Sequence, residues 1–395
     1  MVVIGAGIIG LATARALRAA GRVVTVVDKE SQVGRHQSGH NSGVLHAGLY
    51  YRPESAKARL CAEGRSELEA YCAERGLPAE RCGKVVVATS TAEIPALLEL
   101  RERGRRNGLE IDLLDRHGLA DHEPHADGVA ALFVAATGVV DFGAVCRSMR
   151  DEHVAGGGRL LLGCGVTGIE EQADQVCIDT TDGPLHADAL VNCAGLQADL
   201  VARAAGLRPE VAIVPFRGEY LALAQPRGHL VRHLIYPVPD ARFPFLGVHL
   251  SRGIDGHVHV GPNAVLALGR EGYSWGQIDG REMAAIVGDR RVWRLARRYW
   301  RTGAVELARS WSRPLMVRQI QRLVPDIRAR DLAPAGSGVR AQAVAPDGTL
   351  LDDFELIETA RCVHVLNAPS PGATASLALG RWIATRLGQR CREKG

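Results

Sequence analysis

Gly5, Gly7 and Gly10 stand at the spacing GxGxxG between the β-branched run 2–4 and an Ala/Leu/Arg-rich stretch that Gly21 closes. A second apolar run, residues 23–27, ends on Asp28, 18 residues beyond the third glycine. That order of strand, glycine turn, helix, strand and acid is suited to dinucleotide binding. Gly5 makes the tight turn, Gly7 lets the backbone approach a pyrophosphate, and Gly10 lets the helix pack on the strand. Free N–H groups and the positive end of the helix dipole receive the phosphates, and Asp28 accepts from a ribose hydroxyl. An ordinary strand–helix turn would explain the glycines alone, but not the acid at the end of the second strand.

Three further stretches carry polar chemistry. Residues 31–51 hold Gly34, Gly39, Gly43 and Gly48 among His36, His40, Asn41, Ser42 and His46. A loop this long and this rich in donors is expected to line a cofactor or substrate rather than merely cover surface. Arg340 follows Gly336 and Gly338, between glycine turns and an expected strand. The segment 367–373, Asn-Ala-Pro-Ser-Pro-Gly-Ala, opens an expected helix through Ala384, giving a second N-terminus that favours an anion or a reduced ring system.

The elements that must position these groups follow from periodicity. Residues 56–76 read as an amphipathic helix with Leu60, Leu68 and Tyr71 on one face, and 84–89 as a strand. Helices are expected at 93–108 and 142–156, a strand and short helix at 112–123, and short strands at 163–170 and 176–181. The strand 189–193 ends at Ala194-Gly195, where small residues permit close approach to a cofactor. From 215 to 259 short alternating segments predict an antiparallel sheet, with Arg217, Tyr220, His249 and Arg252 as candidates for its inward face. Residues 282–307 predict a helix rich in arginine and tryptophan. It reads as a solvated cationic face with its aromatics packed inward, the alternative being contact with an anionic membrane surface.

Composition narrows the class. At 395 residues two intertwined domains are expected. Net charge is +4, too mild for nucleic-acid binding. No apolar run reaches the ~18 residues of a transmembrane helix, and the first one is the dinucleotide strand rather than a signal peptide. The nine cysteines contain no CxxC and read as reduced thiols, mostly small buried residues. No metal site is suggested.

These stretches resemble the FAD-dependent D-amino-acid-oxidase-like superfamily and, more closely, the L-2-hydroxyglutarate oxidase/dehydrogenase family. The resemblance runs through GAGIIG (5–10), GHNSGVLHAGLYY (39–51), KARLCAEG (57–64), FRGEYLAL (216–223), GVHLSR (247–252), GVRAQ (338–342) and NAPSPGATASLALG (367–380). It departs at Asp28, where such proteins usually carry glutamate.

The resemblance implies an α/β fold: a Rossmann-like FAD-binding domain with an inserted antiparallel-sheet substrate domain, glutathione-reductase/D-amino-acid-oxidase-like. The expected FAD domain is residues 1–80, 140–210 and 330–395, and the substrate domain 81–139 and 211–329. It implies oxidation of (S)-2-hydroxyglutarate to 2-oxoglutarate by hydride transfer from Cα to flavin N5, with electrons passed to a membrane quinone, O2 or another acceptor. Arg340 matches the position whose arginine grips the α-carboxylate, and Arg217, Tyr220, His249 and Arg252 are candidates for the second carboxylate. A neutral histidine removes the hydroxyl proton, with His46 ahead of His249. The cofactor-lining set is Gly5, Gly7, Gly10, Asp28, Lys29, Ser42, Gly43, Val166, Gly195, Gly372 and Ala373. FAD is expected to be non-covalent, since no histidine or cysteine sits in an attachment motif. The expected location is cytoplasmic, peripheral at the inner face of a membrane. Competing readings are an amine oxidase of the glycine/sarcosine type, a nicotinamide dehydrogenase and a non-catalytic flavin-binding protein.

Overall fold

The computed structural model describes residues 1–240 and 246–392. Phe245, the first residue of one expected strand segment, and the Cys391 side chain lie outside the described residues. The chain opens with β1 (Val2–Ile4), α1 (Ile8–Ala19) and β2 (Thr25–Asp28). Next is α2 (Ala56–Arg75), begun by Ser55, whose hydroxyl accepts from the Ala58 N–H, and stopped by Gly76 in the left-handed region. Then come β3 (Lys84–Ala88), α3 (Ile94–Arg106), β4 (Asp112–Asp115), β5 (Ala130–Val134), α4 (Phe142–Ala155), β6 (Arg159–Leu162), β7 (Leu190–Asn192) and α5 (Ala198–Ala204). The long β8 (Ala212–Leu223) leads to β9 (Leu234–Pro237), β10 (His249–Arg252), β11 (Val258–Gly261) and β12 (Val265–Leu266). Helices α6 (Gly280–Gly288), α7 (Arg290–Trp311) and α8 (Arg313–Gln321) precede β13 (Leu332–Val344), β14 (Glu355–Glu358), β15 (Cys362–Asn367) and α9 (Ser376–Arg392).

Two large sheets organise these elements. The first has the order β14-β15-β7-β1-β2-β6 and is parallel except for β14 against β15. Its strands are short runs of valine, isoleucine and leucine because both faces are covered. Val3, Val26, Val191 and Val363 face α1 and α9, where Leu17, Leu379 and Ile383 are buried. Val2, Ile4, Val27 and Leu190 face the other way, onto Ile169, Val176 and Ile178 of a small antiparallel sheet over 166–187. Truncating a central contact such as Ile383→Ala removes about 2–5 kcal/mol.

The second sheet has nine strands, β12-β8-β11-β10-β9-β3-β5-β4, with β13 also paired to β8. It is antiparallel apart from β9, which runs parallel to β3 because residues 81–139 and 211–329 each contribute part of it. β13 departs from the expected boundary at 330: it lies antiparallel along nearly all of β8. Gly336 and Gly338 therefore sit inside a strand rather than in turns. A Cβ on Gly338 would lie 2.4 Å from the His40 carbonyl oxygen, so the glycine admits the polar loop 31–51 against the strand.

Two other expectations change. The helix expected over 282–307 is two helices parted at Asp289, whose carboxylate caps the second by accepting from the Arg291 N–H. Its tryptophans point outward, with Trp293 56% and Trp300 62% exposed. The last helix begins at Ser376, after turns, and runs well beyond Ala384. Among the described residues eight cysteines are free thiols. Among the described residues no helix is long and apolar enough to cross a membrane.

Candidate active site

The glycine turn opens onto a cavity of about 910 Å³. Gly5 takes φ +104°, and a Cβ there would meet the Cys193 carbonyl oxygen at 2.4 Å; one on Gly10 would lie 1.9 Å from Gly5 O. These glycines bring the first strand, the helix and the β7 turn into backbone contact. Gly7 faces the cavity, where a Cβ would meet only the Ser38 hydroxyl, at 3.2 Å. That hydroxyl accepts from the Ile8 N–H (2.9 Å). Asp28 accepts from Ala6 N–H (2.6 Å) and Glu30 N–H (2.9 Å), while burial raises its carboxyl pKa against those two donors. Lys29, Val166 and Gly195 also line this cavity.

Glu30, His36 and Glu271 cluster tightly enough to suggest a cation site. The Lys29 ammonium already pairs with Glu30 and, at 2.7 Å, with Glu271, so lysine provides the positive charge there.

A second cavity, about 590 Å³, adjoins the first through Gln37, Ala368 and Ala373, which line both. Gln37 is fixed by accepting from the Ala341 N–H (2.9 Å). Into this space come His46 from the polar loop, Tyr220 from β8, His249 from β10 and Arg340 from β13, with Ser42 and Gly372 at its edge.

The two histidines differ in their partners. His249 is buried, stacks on Tyr236 at 3.9 Å and places Nδ1 2.8 Å from the Gly247 carbonyl oxygen. A carbonyl only accepts, so Nδ1 carries the proton and Nε2 keeps its lone pair. Burial, with the Arg340 and Lys84 charges, lowers the His249 pKa to about 4 against the raising bond to Gly247. His46 is lowered to about 3 by burial and the Lys84 charge, and its Nε2 lies 3.2 Å from the Ser370 hydroxyl.

Four expected site residues line neither cavity, among them Gly10, which packs against Gly5. Arg217 is fully buried, pairs with Glu219 (3.2 Å) and stacks on Trp275 (4.1 Å), outside both cavities. Arg252 lines neither. Arg217 and Tyr220 stand an odd number of residues apart in β8, so alternation sends them to opposite faces, and Arg217 shares its face with Glu219. Gly43 also lines neither; its φ is +66°, and a Cβ would lie 2.9 Å from Val140 O, so it admits a neighbouring strand.

Two lysines were missed by the residue-level reading. Lys57 lines the second cavity, is buried, and pairs with Asp352 at 2.9 Å. Its signal was present: Lys57, Leu60, Cys61, Gly64 and Leu68 form one buried helical stripe that begins with a cation. Lys84 is 1% exposed and caged between the Tyr50 (4.5 Å) and Tyr236 (4.9 Å) rings, and burial lowers its pKa to about 7. As the first residue of an apolar strand it gave no such signal.

The sequence pattern of the FAD dependent oxidoreductase family matches residues 1–386. The L-2-hydroxyglutarate dehydrogenase of Indibacter alkaliphilus is 44% identical over 96% of this chain and 96% of its own length. The chain belongs to the L-2-hydroxyglutarate dehydrogenase family of FAD-dependent oxidoreductases. The Escherichia coli K12 member is 41% identical over 98% of this chain and 92% of its own. In fold the family chain matches the dithionite-reduced, FAD-bound L-alpha-glycerophosphate oxidase of Mycoplasma pneumoniae, with TM-score 0.79 and 21% identity over 98% and 94% of the two chains.

The cradle fits the family's cofactor. The missing Cβ clears the path for a pyrophosphate at Gly7, Asp28 offers acceptors beside it, and the two cavities with three lining residues in common give an extended two-part ligand adjoining spaces.

Proposed function

We propose that this protein oxidises (S)-2-hydroxyglutarate to 2-oxoglutarate; its relatives are named L-2-hydroxyglutarate dehydrogenases. The observation that carries the reading is one cavity, adjoining the dinucleotide cradle, that gathers Arg340, Lys57 and a histidine with a bare Nε2. A dicarboxylate needs two cationic anchors. The planar fork of Arg340 suits the α-carboxylate, and Lys57 answers the second. His249 Nε2 takes the hydroxyl proton, which becomes acidic as hydride leaves Cα. Its low pKa keeps it neutral and ready, and Tyr236 holds the ring in place. His46 stands beside it as a neutral wall tied to Ser370.

FAD, when bound, supplies the hydride-accepting N5. Gly5, Gly7, Asp28, Lys29, Ser42, Val166, Gly195, Gly372 and Ala373 would hold it without a covalent bond, while Gly10 keeps the helix against the strand. Residues 1–80, 140–210 and 344–395 serve the cofactor, and 81–139 and 211–343 enclose the substrate. Electrons then leave to a quinone in a membrane, with the protein resting on that membrane's surface.

Anaerobic titration of the yellow protein with L-2-hydroxyglutarate, its D enantiomer, glycine and sarcosine tests the substrate. Bleaching of the flavin band by the L-hydroxy acid alone is expected. Bleaching by an amine would move the assignment to an amine oxidase, and bleaching by none would sink the substrate reading.

A further inference from the structure

Helix α7 has two unlike faces. Leu295 is buried with Val214 and Val344, and Val292 and Tyr299 pack against the same cluster. The opposite face carries Trp293, Trp300 and Trp311, exposed by 56%, 62% and 72%. Trp300 and Trp311 stand eleven residues, three helical turns, apart after the kink at Tyr299, and Trp293 lies before it; Trp311 also packs on Trp275, ring centroids 6.0 Å apart. Val287, 52% exposed, extends this face: its carbonyl accepts from the Trp293 indole N–H at 2.7 Å.

Arginines flank the tryptophans. Arg290, Arg294, Arg297, Arg298 and Arg301 are all exposed. The single acid within α7, Glu306, turns inward, accepting from Ala264 N–H and Arg309. Asp347 lies near Arg298 and is the acid whose charge that arginine meets.

We infer that the outer face of α7 docks on the surface of an anionic phospholipid bilayer, tryptophans at the headgroup boundary and arginines on lipid phosphates. Indole rings favour that boundary because one edge is apolar and the other donates a hydrogen bond. Guanidinium forks pair with phosphate oxygens. A second copy of this chain is the poorer occupant, since arginines would face arginines. The site lies close to the chemistry: Tyr299 lines the substrate cavity and its neighbour Trp300 faces outward. The inference deepens the proposed transfer of electrons to a membrane quinone, but lipid binding itself is read without turnover.

The test is co-sedimentation of the FAD-loaded full chain with vesicles of phosphatidylcholine, alone or mixed with phosphatidylglycerol, following tryptophan emission. Binding to the anionic vesicles with a blue shift is expected. Trp293→Ser with Trp300→Ser should weaken it by about tenfold or more. Arg297→Gln and Arg301→Gln should each cost about fivefold and flatten the salt dependence. Reduction of a soluble dye by the hydroxy acid should stay unchanged in all three variants. Failure of the parent protein to bind at low salt would overturn the docking surface, as would binding indifferent to the tryptophans. A dimer dispersed by the same tryptophan changes would also overturn it and assign the face to a second copy. Dye reduction persisting in any of these cases would leave the proposed activity standing.

Discussion

The two halves of the cavity system are built from different materials. The cofactor half is made of backbone: glycines without Cβ atoms, N–H groups and one carboxylate, most of them within the first thirty residues. The half that we assign to the substrate is made of side chains carried in from residues 46, 57, 220, 249 and 340, on five separate elements or loops. Backbone sites fail when an atom is added, whereas side-chain sites fail when one is removed. The same contrast decides which half can be recognised in a sequence.

His249→Gln should lower kcat by about 10²–10⁴-fold while the protein stays yellow; dye-reduction kinetics and the visible spectrum check this. Loss of colour instead would mean that the two halves are not separable. Gly10→Val should do the reverse and yield protein that purifies without cofactor, because its Cβ has no room against Gly5 O. Lys57→Met should raise KM for the dicarboxylate by about 10–100-fold with a smaller change in kcat, the pattern of a lost charge-assisted anchor.

Lys84→Met should stabilise the fold by about 2 kcal/mol at pH 6, as expected when a buried, unpaired cation is replaced by an apolar chain. Lys84 falls from its ordinary 10.5 to about 7 on folding, so between those values the unfolded chain holds the extra proton. Stability therefore rises with pH through that window, and the penalty is full below pH 7. The advantage of the variant should shrink toward pH 10, as urea melts at several pH values would show. Smallest of all should be the acid-side change in kcat/KM above pH 5. His249 stays neutral down to about 4 and is lost as a base only as pH falls through that value. A steep decline between pH 7 and 6 would point to another base.

The cofactor half was legible because one continuous stretch, residues 2–28, carries strand, turn, helix and acid in fixed order. Arg340, His46, Tyr220 and His249 were named from the sequence, and all four line the second cavity. What alternation left open was which face of β8 turns to the cavity: Tyr220 does, while Arg217, on the other face, meets Glu219 and Trp275. Gly43 shows a related limit: a positive-φ glycine beside a site serves as readily to pass another strand as to touch a ligand. Lys57 was hidden by habit rather than by physics, since a lysine heading a buried helical stripe already implies something for it to meet. The outward tryptophans of α7 were opposite to expectation because periodicity finds faces but does not say which one the core receives.

Strand β1 carries a consequence for the making of the chain. It is synthesised first, yet on one side it pairs with residues 190–192, and that neighbour in turn pairs with residues 362–367. A nascent chain thus carries an open strand edge until β15 emerges. Any product cut short before β15 keeps that edge bare, a template for joining another unfinished copy. Stop mutations near the C-terminus should therefore appear in cells as insoluble material rather than as a smaller, weaker enzyme.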